Sequence, residues 1–140
     1  MNRTLFVGRA TAEATPGWSD WALISISEPD NNKKPRILDG WHSVLRVEFH
    51  DITSARPDGV LMDETHAKRI VDFVRQVAPE VEGVMVHCRA GISRSAAVAK
   101  WISREFQIPF GDQYMAFNEH VFDMLCLRAE GCVVRSVETQ

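Results

Sequence analysis

Gly83-Val84-Met85-Val86 is the segment that most restricts what this chain can become. Its residues are non-polar without interruption, with a β-branched bias, so no face of the segment is left for solvent. Such a run reads as a strand covered on both sides, the situation of a strand inside a parallel sheet with helices packed over it. The neighbouring segments supply the rest of that architecture. Leu5-Phe6-Val7, closed by Gly8, and Trp21-Ala22-Leu23-Ile24-Ser25-Ile26, closed by the turn-rich stretch Glu28 to Pro35, read as two strands. Val44-Leu45-Arg46-Val47-Glu48-Phe49 alternates at period two, which suits a half-buried strand ending near His50-Asp51.

Helical periodicity follows. After Asp63, an N-cap candidate, Ile70, Val71, Phe73, Val74 and Val77 recur at helical spacing until Pro79 stops them. Ser95-Ala96-Ala97-Val98-Ala99-Lys100-Trp101-Ile102 reads as a helix of small residues packed closely on the sheet. Phe110 to Arg128 offers Met115, Phe117, Val121, Phe122, Met124 and Leu125 for a further helix that Gly131 ends. Strands alternating with helices predict one α/β domain over residues 1–140, with a central, mostly parallel, twisted sheet of about four to five strands flanked by helices. No repeat, low-complexity tract or linker divides the chain.

Composition narrows the functional classes. With 140 residues, 16 Lys+Arg against 19 Asp+Glu, and a net charge of −3, the chain suits one ordinary domain and lacks the basic excess that phosphate neutralisation on nucleic acid demands. No nucleic-acid partner is expected. Met1 to Asp20 carries no apolar core of a leader, and no stretch approaches the roughly 18 apolar residues of a membrane span. A cytoplasmic monomer without membrane contact is therefore expected. The three cysteines, Cys88, Cys126 and Cys132, are an odd number, which favours a free reactive thiol over a disulfide framework. Their spacing with His87 or His120 lacks the close pairs of a zinc site, so no metal is expected.

The chemistry concentrates in His87-Cys88-Arg89-Ala90-Gly91-Ile92-Ser93-Arg94-Ser95, a loop between the buried strand and a helix. A helix N-terminus presents unpaired N–H groups and partial positive charge, and a tight loop before it aims further amides into the same hollow. That is an anion trap. The same field should draw the Cys88 thiol below its ordinary range and make it a thiolate near neutral pH. Gly91 permits backbone geometry that a side chain would block. Arg94 offers a planar fork for two phosphate oxygens. A lone buried Cys is usually an inert small hydrophobe, and a lone Arg at a helix start is usually solvated surface; here both occur together, in the context the trap requires.

His87-Cys88-x-x-Gly91-x-x-Arg94-Ser95 resembles the signature loop of the cysteine-based protein tyrosine phosphatases. Cys88-Arg89-Ala90-Gly91-Ile92-Ser93-Arg94-Ser95, followed by small apolar residues, is most similar to the dual-specificity branch. The resemblance implies that Cys88 attacks phosphorus and forms a cysteinyl-phosphate. Arg94 and the loop from Arg89 through Ala90, Gly91, Ile92 and Ser93 would bind the phosphate. Ser95 would stabilise the departing thiolate, and His87 would orient the loop. It implies no cofactor. It also requires a carboxylic acid upstream of the Cys. Asp51, just past the third strand, is the first choice; Asp58, beside Gly59, is second, and Asp63 is better explained as a helix cap.

The implied activity is hydrolysis of phosphotyrosine, with phosphoserine or phosphothreonine as further substrates, in a phosphoprotein or phosphopeptide. Lipid-directed relatives carry a lysine where this chain has Ile92, and the RNA-directed branch has Thr where this chain has Ser95. Those non-protein substrates (RNA 5′-phosphate, nucleotide or phosphoinositide) are the alternative within the same chemistry. A phosphate-binding module without turnover is the alternative outside it. Asn32-Lys33-Lys34-Pro35-Arg36 reads as a solvated turn rather than a docking loop. Cys126 or Cys132 could serve as a redox partner for Cys88 only if the fold brings them together.

Overall fold

A computed structural model describes residues 1–131. Its elements in chain order are β1 (Arg3–Gly8), α1 (Arg9–Ala14), β2 (Trp21–Ser27), β3 (Ser43–Glu48), α2 (Glu64–Val77), β4 (Gly83–Cys88), α3 (Arg94–Phe106) and α4 (Glu119–Glu130). The four strands form one sheet in the order β1-β4-β2-β3, and every pairing is parallel. All strand C-termini therefore lie at one end of the sheet, where the loops after β2, β3 and β4 meet. Ligand sites of open parallel sheets lie at this end.

Position in the sheet explains the sequence patterns. The inner strands β2 and β4 are buried along their whole length, so their runs are apolar throughout. Edge strand β3 alternates, with Val44 and Arg46 exposed while Val47 is buried. Ala22, Ile24, Ile26, Val84 and Val86 enter one core with residues of α2, α3 and α4; the opposite face of the same strands packs Trp21, Leu23 and Met85 against Leu5, Val7, Ile37 and Trp41. A fully buried Ile or Val of this kind contributes about 1.5–3 kcal/mol relative to its exposed state.

The α2 boundary is set by a reciprocal cap: the Asp63 carboxylate accepts from the His66 amide at 3.1 Å, and His66 Nδ1 accepts from the Asp63 amide at 3.0 Å. Asp63 thus serves as the cap that its position indicates. Two segments depart from the sequence reading. Arg9–Ala14 is a helix, α1, too short to show periodicity and hidden behind Gly8. The last helix begins at Glu119 rather than Phe110, with Asn118 as its cap. Pro109 and Gly111 break the segment before it, and its aromatic residues serve tertiary contacts instead: Phe110 and Tyr114 lie against Phe6, while Lys100 Nζ sits 4.6 Å from the Phe117 ring centroid. Among the described residues no helix is long and apolar enough to cross a membrane. Cys132 lies outside the described residues.

Candidate active site

Cys88 ends β4 and is 2% exposed. The chain then turns through Arg89–Ser93 into α3. Gly91 makes this turn possible on two counts: its φ is +74°, and a Cβ there would stand 2.3 Å from the Gly8 amide nitrogen. The end of β1 thus braces the loop, and the Arg9 amide donates to the Arg89 carbonyl at 3.1 Å. On the other side the Tyr114 hydroxyl donates to the Ile92 carbonyl.

The start of α3 carries no side-chain cap, because the Ser93 hydroxyl donates instead to Asp51 at 2.8 Å. The first amides of α3 are therefore left to face an anion. They already act on the thiol. Burial alone pushes Cys88 up, but the Ser95 hydroxyl, 3.1 Å from Sγ, together with the Ser95 and Gly91 amides and the Arg94 charge, outweighs it and holds the thiol below its ordinary value. The direction is the one expected from the sequence, and these groups are its physical cause.

His87 lies behind the loop and is fully buried. Its Nδ1 faces the Cys88 carbonyl at 3.2 Å and its Nε2 faces the Ser25 hydroxyl at 2.6 Å. A carbonyl only accepts, so Nδ1 carries the proton and Ser25 donates to Nε2. Burial pushes the imidazole down and keeps it neutral. His87 is thus a strut between β2 and the loop, with its reach toward solvent closed off.

Arg94 is 4% exposed. One terminal nitrogen donates to the Phe49 carbonyl at 2.8 Å and the other to Glu28 Oε2 at 2.6 Å. Nε is buried with no hydrogen-bond partner among the described residues. A buried charged donor without an acceptor is costly, so an anion at this point would be favoured. Glu28, at the end of β2, was not singled out from sequence. Burial alone would raise its carboxyl, but the bond to Arg94 and the Arg94 charge hold it below the usual carboxylate range. It locks the guanidinium plane in place.

Asp51 follows β3 on a loop whose base is stitched by two bonds: the His50 amide to the Val60 carbonyl at 2.8 Å, and the Val60 amide to His50 Nδ1 at 2.8 Å. Its Oδ1 accepts from Ser93 and, at 2.8 Å, from Asn118 Nδ2. Asn118 is the second residue missed from sequence. Its side chain also donates to the Ile52 carbonyl at 3.1 Å and caps α4 by accepting from the Val121 amide at 3.0 Å. Asn118 therefore ties the Asp51 loop to α4 through its side chain, and its backbone N–H donates to the Ser93 carbonyl of the loop after Cys88 at 3.1 Å. Asn118→Ala should lower the unfolding free energy by about 3 kcal/mol, the sum of one lost cap and two lost hydrogen bonds. Denaturant unfolding should show this as a lower midpoint at unchanged slope; an unchanged midpoint would mean the cluster carries no stability.

A cavity of about 440 Å³ unites these groups: Cys88, Arg94, Ser93 and Asp51 line it with Glu28, His50, Ile52, Arg56, Arg89, Ala90 and Ile92. Asp58 does not line it. Ser95 and Gly91 do not line it: Ser95 contacts the thiol, and Gly91 makes the turn of the loop. Cys126 lies elsewhere, on α4 against Arg104 of α3, where burial pushes its thiol up. The basic turn 32–36 is tied down by Lys34 to Glu48 at 2.9 Å and by Arg9 to the Lys33 carbonyl at 2.8 Å. Among the described residues no group of three or more His, Cys, Asp or Glu side chains could hold a metal ion.

A four-stranded parallel sheet that presents a thiol, an arginine and an acid at its C-terminal end defines a class. The chain is similar in sequence and in fold to dual-specificity phosphatases of the cysteine-based protein tyrosine phosphatase superfamily. Its sequence is similar to dual specificity protein phosphatase 12 of Homo sapiens, with 32% identity over 117 residues covering 79% of this chain, and to the Mus musculus protein of the same name at 32% identity over 111 residues. The chain spans about a third, 32%, of the length of these relatives. The fold is similar to that of human DUSP28, with a TM-score of 0.60 at 15% identity over 94% of each chain. It is also similar to the human tyrosine phosphatase-like serine/threonine/tyrosine-interacting protein, at 0.53 and 20% identity over 83% of this chain and 80% of that one. No family model matches the chain.

Proposed function

We propose that this chain is a phosphomonoester hydrolase, a single catalytic domain that removes phosphate from phosphotyrosine, and from phosphoserine or phosphothreonine, in proteins. The observation that carries this reading is the meeting, in one cavity, of a thiol held below its ordinary range, a fixed guanidinium with a buried unpartnered donor, and a carboxylate on a stitched loop. The similarity to dual specificity protein phosphatase 12 supports it.

In the first step the Cys88 thiolate attacks phosphorus while the bond from phosphorus to the leaving oxygen breaks, and Asp51 gives its proton to that oxygen. The Arg94 fork and the loop amides hold the equatorial oxygens, where charge collects. In the second step water attacks the cysteinyl-phosphate, Asp51 takes the proton, and sulfur leaves as thiolate. The Ser95 hydroxyl, within bonding distance of Sγ, donates to it as the charge returns. The step needs no cofactor, and residues of this chain supply each group.

The test is hydrolysis of aryl phosphates and a phosphotyrosine peptide in the presence of a chelator, on wild type and on Asp51→Asn. Wild type should turn over both substrates. The variant should lose about 10²-fold or more on phosphotyrosine and less on an activated aryl phosphate, whose leaving oxygen is stable as an anion. Asp58→Asn should change neither. If Asp58→Asn shows the leaving-group dependence and Asp51→Asn does not, the acid lies deeper in the loop. Phosphate binding by wild type without turnover would leave only a binding module.

A further inference from the structure

A trans peptide unit is planar, so its C=O and the N–H of the following residue point in opposite directions. A bond that holds a loop carbonyl outward therefore aims the next amide inward. The peptide bonds of the described residues are all trans, and two carbonyls of the loop after Cys88 are held in this way. The Arg9 amide, just past β1, holds the Arg89 carbonyl, and the Tyr114 hydroxyl holds the Ile92 carbonyl. Tyr114 stands outside the catalytic cavity. Its ring packs on Phe6 and Phe110 with centroids at 5.3 and 6.1 Å, and it lines a separate hollow of about 230 Å³ with Thr4 and Pro109. The carbonyl that reaches it is thus turned away from the cavity that Ile92 and Ser93 line, and the Ser93 N–H is turned toward that cavity. The other polar groups of Ser93 are engaged: its hydroxyl donates to Asp51 at 2.8 Å, and its carbonyl accepts from the Ala97 and Asn118 amides at 3.0 and 3.1 Å. Burial and the Cys88 charge push the Tyr114 phenol up, so it remains a protonated donor at neutral pH.

We propose that Tyr114 is a positioning residue for phosphate binding: its hydroxyl fixes the Ile92–Ser93 peptide so that the Ser93 N–H meets an equatorial phosphate oxygen. This rests on the phosphatase reading and deepens it. A donor set in place beforehand needs no reorganisation when charge collects on that oxygen. The Ile92 side chain is 52% exposed, so its own packing holds the peptide poorly. Without the hydroxyl the unit can turn and present its carbonyl to the anion, which repels it. Tyr114 is not among the groups that hold the thiol down, which are the Ser95 hydroxyl, the Ser95 and Gly91 amides and the Arg94 charge. Its loss should therefore weaken the hold on phosphate and leave the thiol as it is.

The experiment compares wild type with Tyr114→Phe, which keeps the ring and removes the hydroxyl, and with Tyr114→Leu, which removes both. Alkylation of Cys88 by iodoacetamide, read by mass spectrometry, is followed across pH and against rising inorganic phosphate. Wild type and Tyr114→Phe should share one pH midpoint of alkylation. The phosphate concentration that half protects Cys88 should rise about tenfold in Tyr114→Phe, less than outright removal of an oxyanion donor costs. On an aryl phosphate kcat should also fall by about tenfold, because the amide meets charge that grows in the transition state. Equal protection of wild type and Tyr114→Phe overturns the proposal, and a loss seen only in Tyr114→Leu does so by making ring packing the cause. A pH midpoint that moves together with the phosphate affinity overturns it too, since the whole loop would then have changed. Wild type that is protected by phosphate but hydrolyses no aryl phosphate ends the phosphatase reading, and the protection measurements still decide the role of Tyr114. Wild type that phosphate does not protect overturns both.

Discussion

Cys88→Ser should abolish turnover of aryl phosphates and phosphopeptides, a loss on the order of 10⁴-fold or more. The groups around Sγ hold the Cys88 thiol below its ordinary value. An alkyl hydroxyl starts so much higher that the same Ser95 hydroxyl, amides and Arg94 charge leave it neutral. The cradle itself does not depend on sulfur. Gly91 is set by β1, Arg94 is set by Phe49 and Glu28, and the start of α3 is left open by the Ser93–Asp51 bond. A phosphopeptide should therefore still bind the variant in calorimetry, with affinity near the wild-type KM. Full turnover by Cys88→Ser would remove the proposed mechanism.

Arg94→Lys should cost about 10²- to 10⁴-fold in kcat/KM, with a loss in kcat as well as in affinity. The guanidinium divides its donors: two nitrogens lock it to Phe49 and Glu28, and the unpartnered Nε remains. A lysine ammonium is one point of charge. It can satisfy Glu28 or reach the phosphate, and it cannot hold the plane that meets the equatorial oxygens as charge spreads over them. The kcat component separates the two effects, since losing a contact made equally to bound substrate and transition state would raise KM and leave kcat in place. Steady-state kinetics on a phosphotyrosine peptide measures both. Wild-type kcat in Arg94→Lys would show that positive charge suffices.

The parts of the site that could be read from the chain are those in which chemistry and geometry are local. Cys88, Arg94 and Ser95 stand within one loop, and the rule that places them (buried strand, tight turn, helix start) acts over consecutive residues. The α2 start was legible for the same reason, because Asp63 and His66 cap each other three residues apart. Asp51 could be ranked first from its place after a strand. Its ties to Ser93 and Asn118 span 42 and 67 residues, and no local pattern announces them. Glu28 was invisible as a partner of Arg94, 66 residues away, because in sequence it is only a polar residue opening a turn. The stretch after Phe110 misled in the opposite sense. Its apolar spacing imitates a helix, but Phe110, Tyr114 and Phe117 are apolar because they pack on Phe6 and Lys100.

The amino-acid order by itself determined the layered α/β architecture and the tight loop from Cys88 to Arg94, because a strand without a polar face and a glycine-bearing turn before a helix have few physical solutions. The tertiary structure decided how that loop is armed. Parallel strands in the order β1-β4-β2-β3 bring three separate strand ends to one place. Only there do Glu28 set the arginine, Asn118 hold Asp51, and Arg56 line one cavity with Arg89. Such contacts join residues far apart along the chain, and their energy exists only once the sheet has closed the distance.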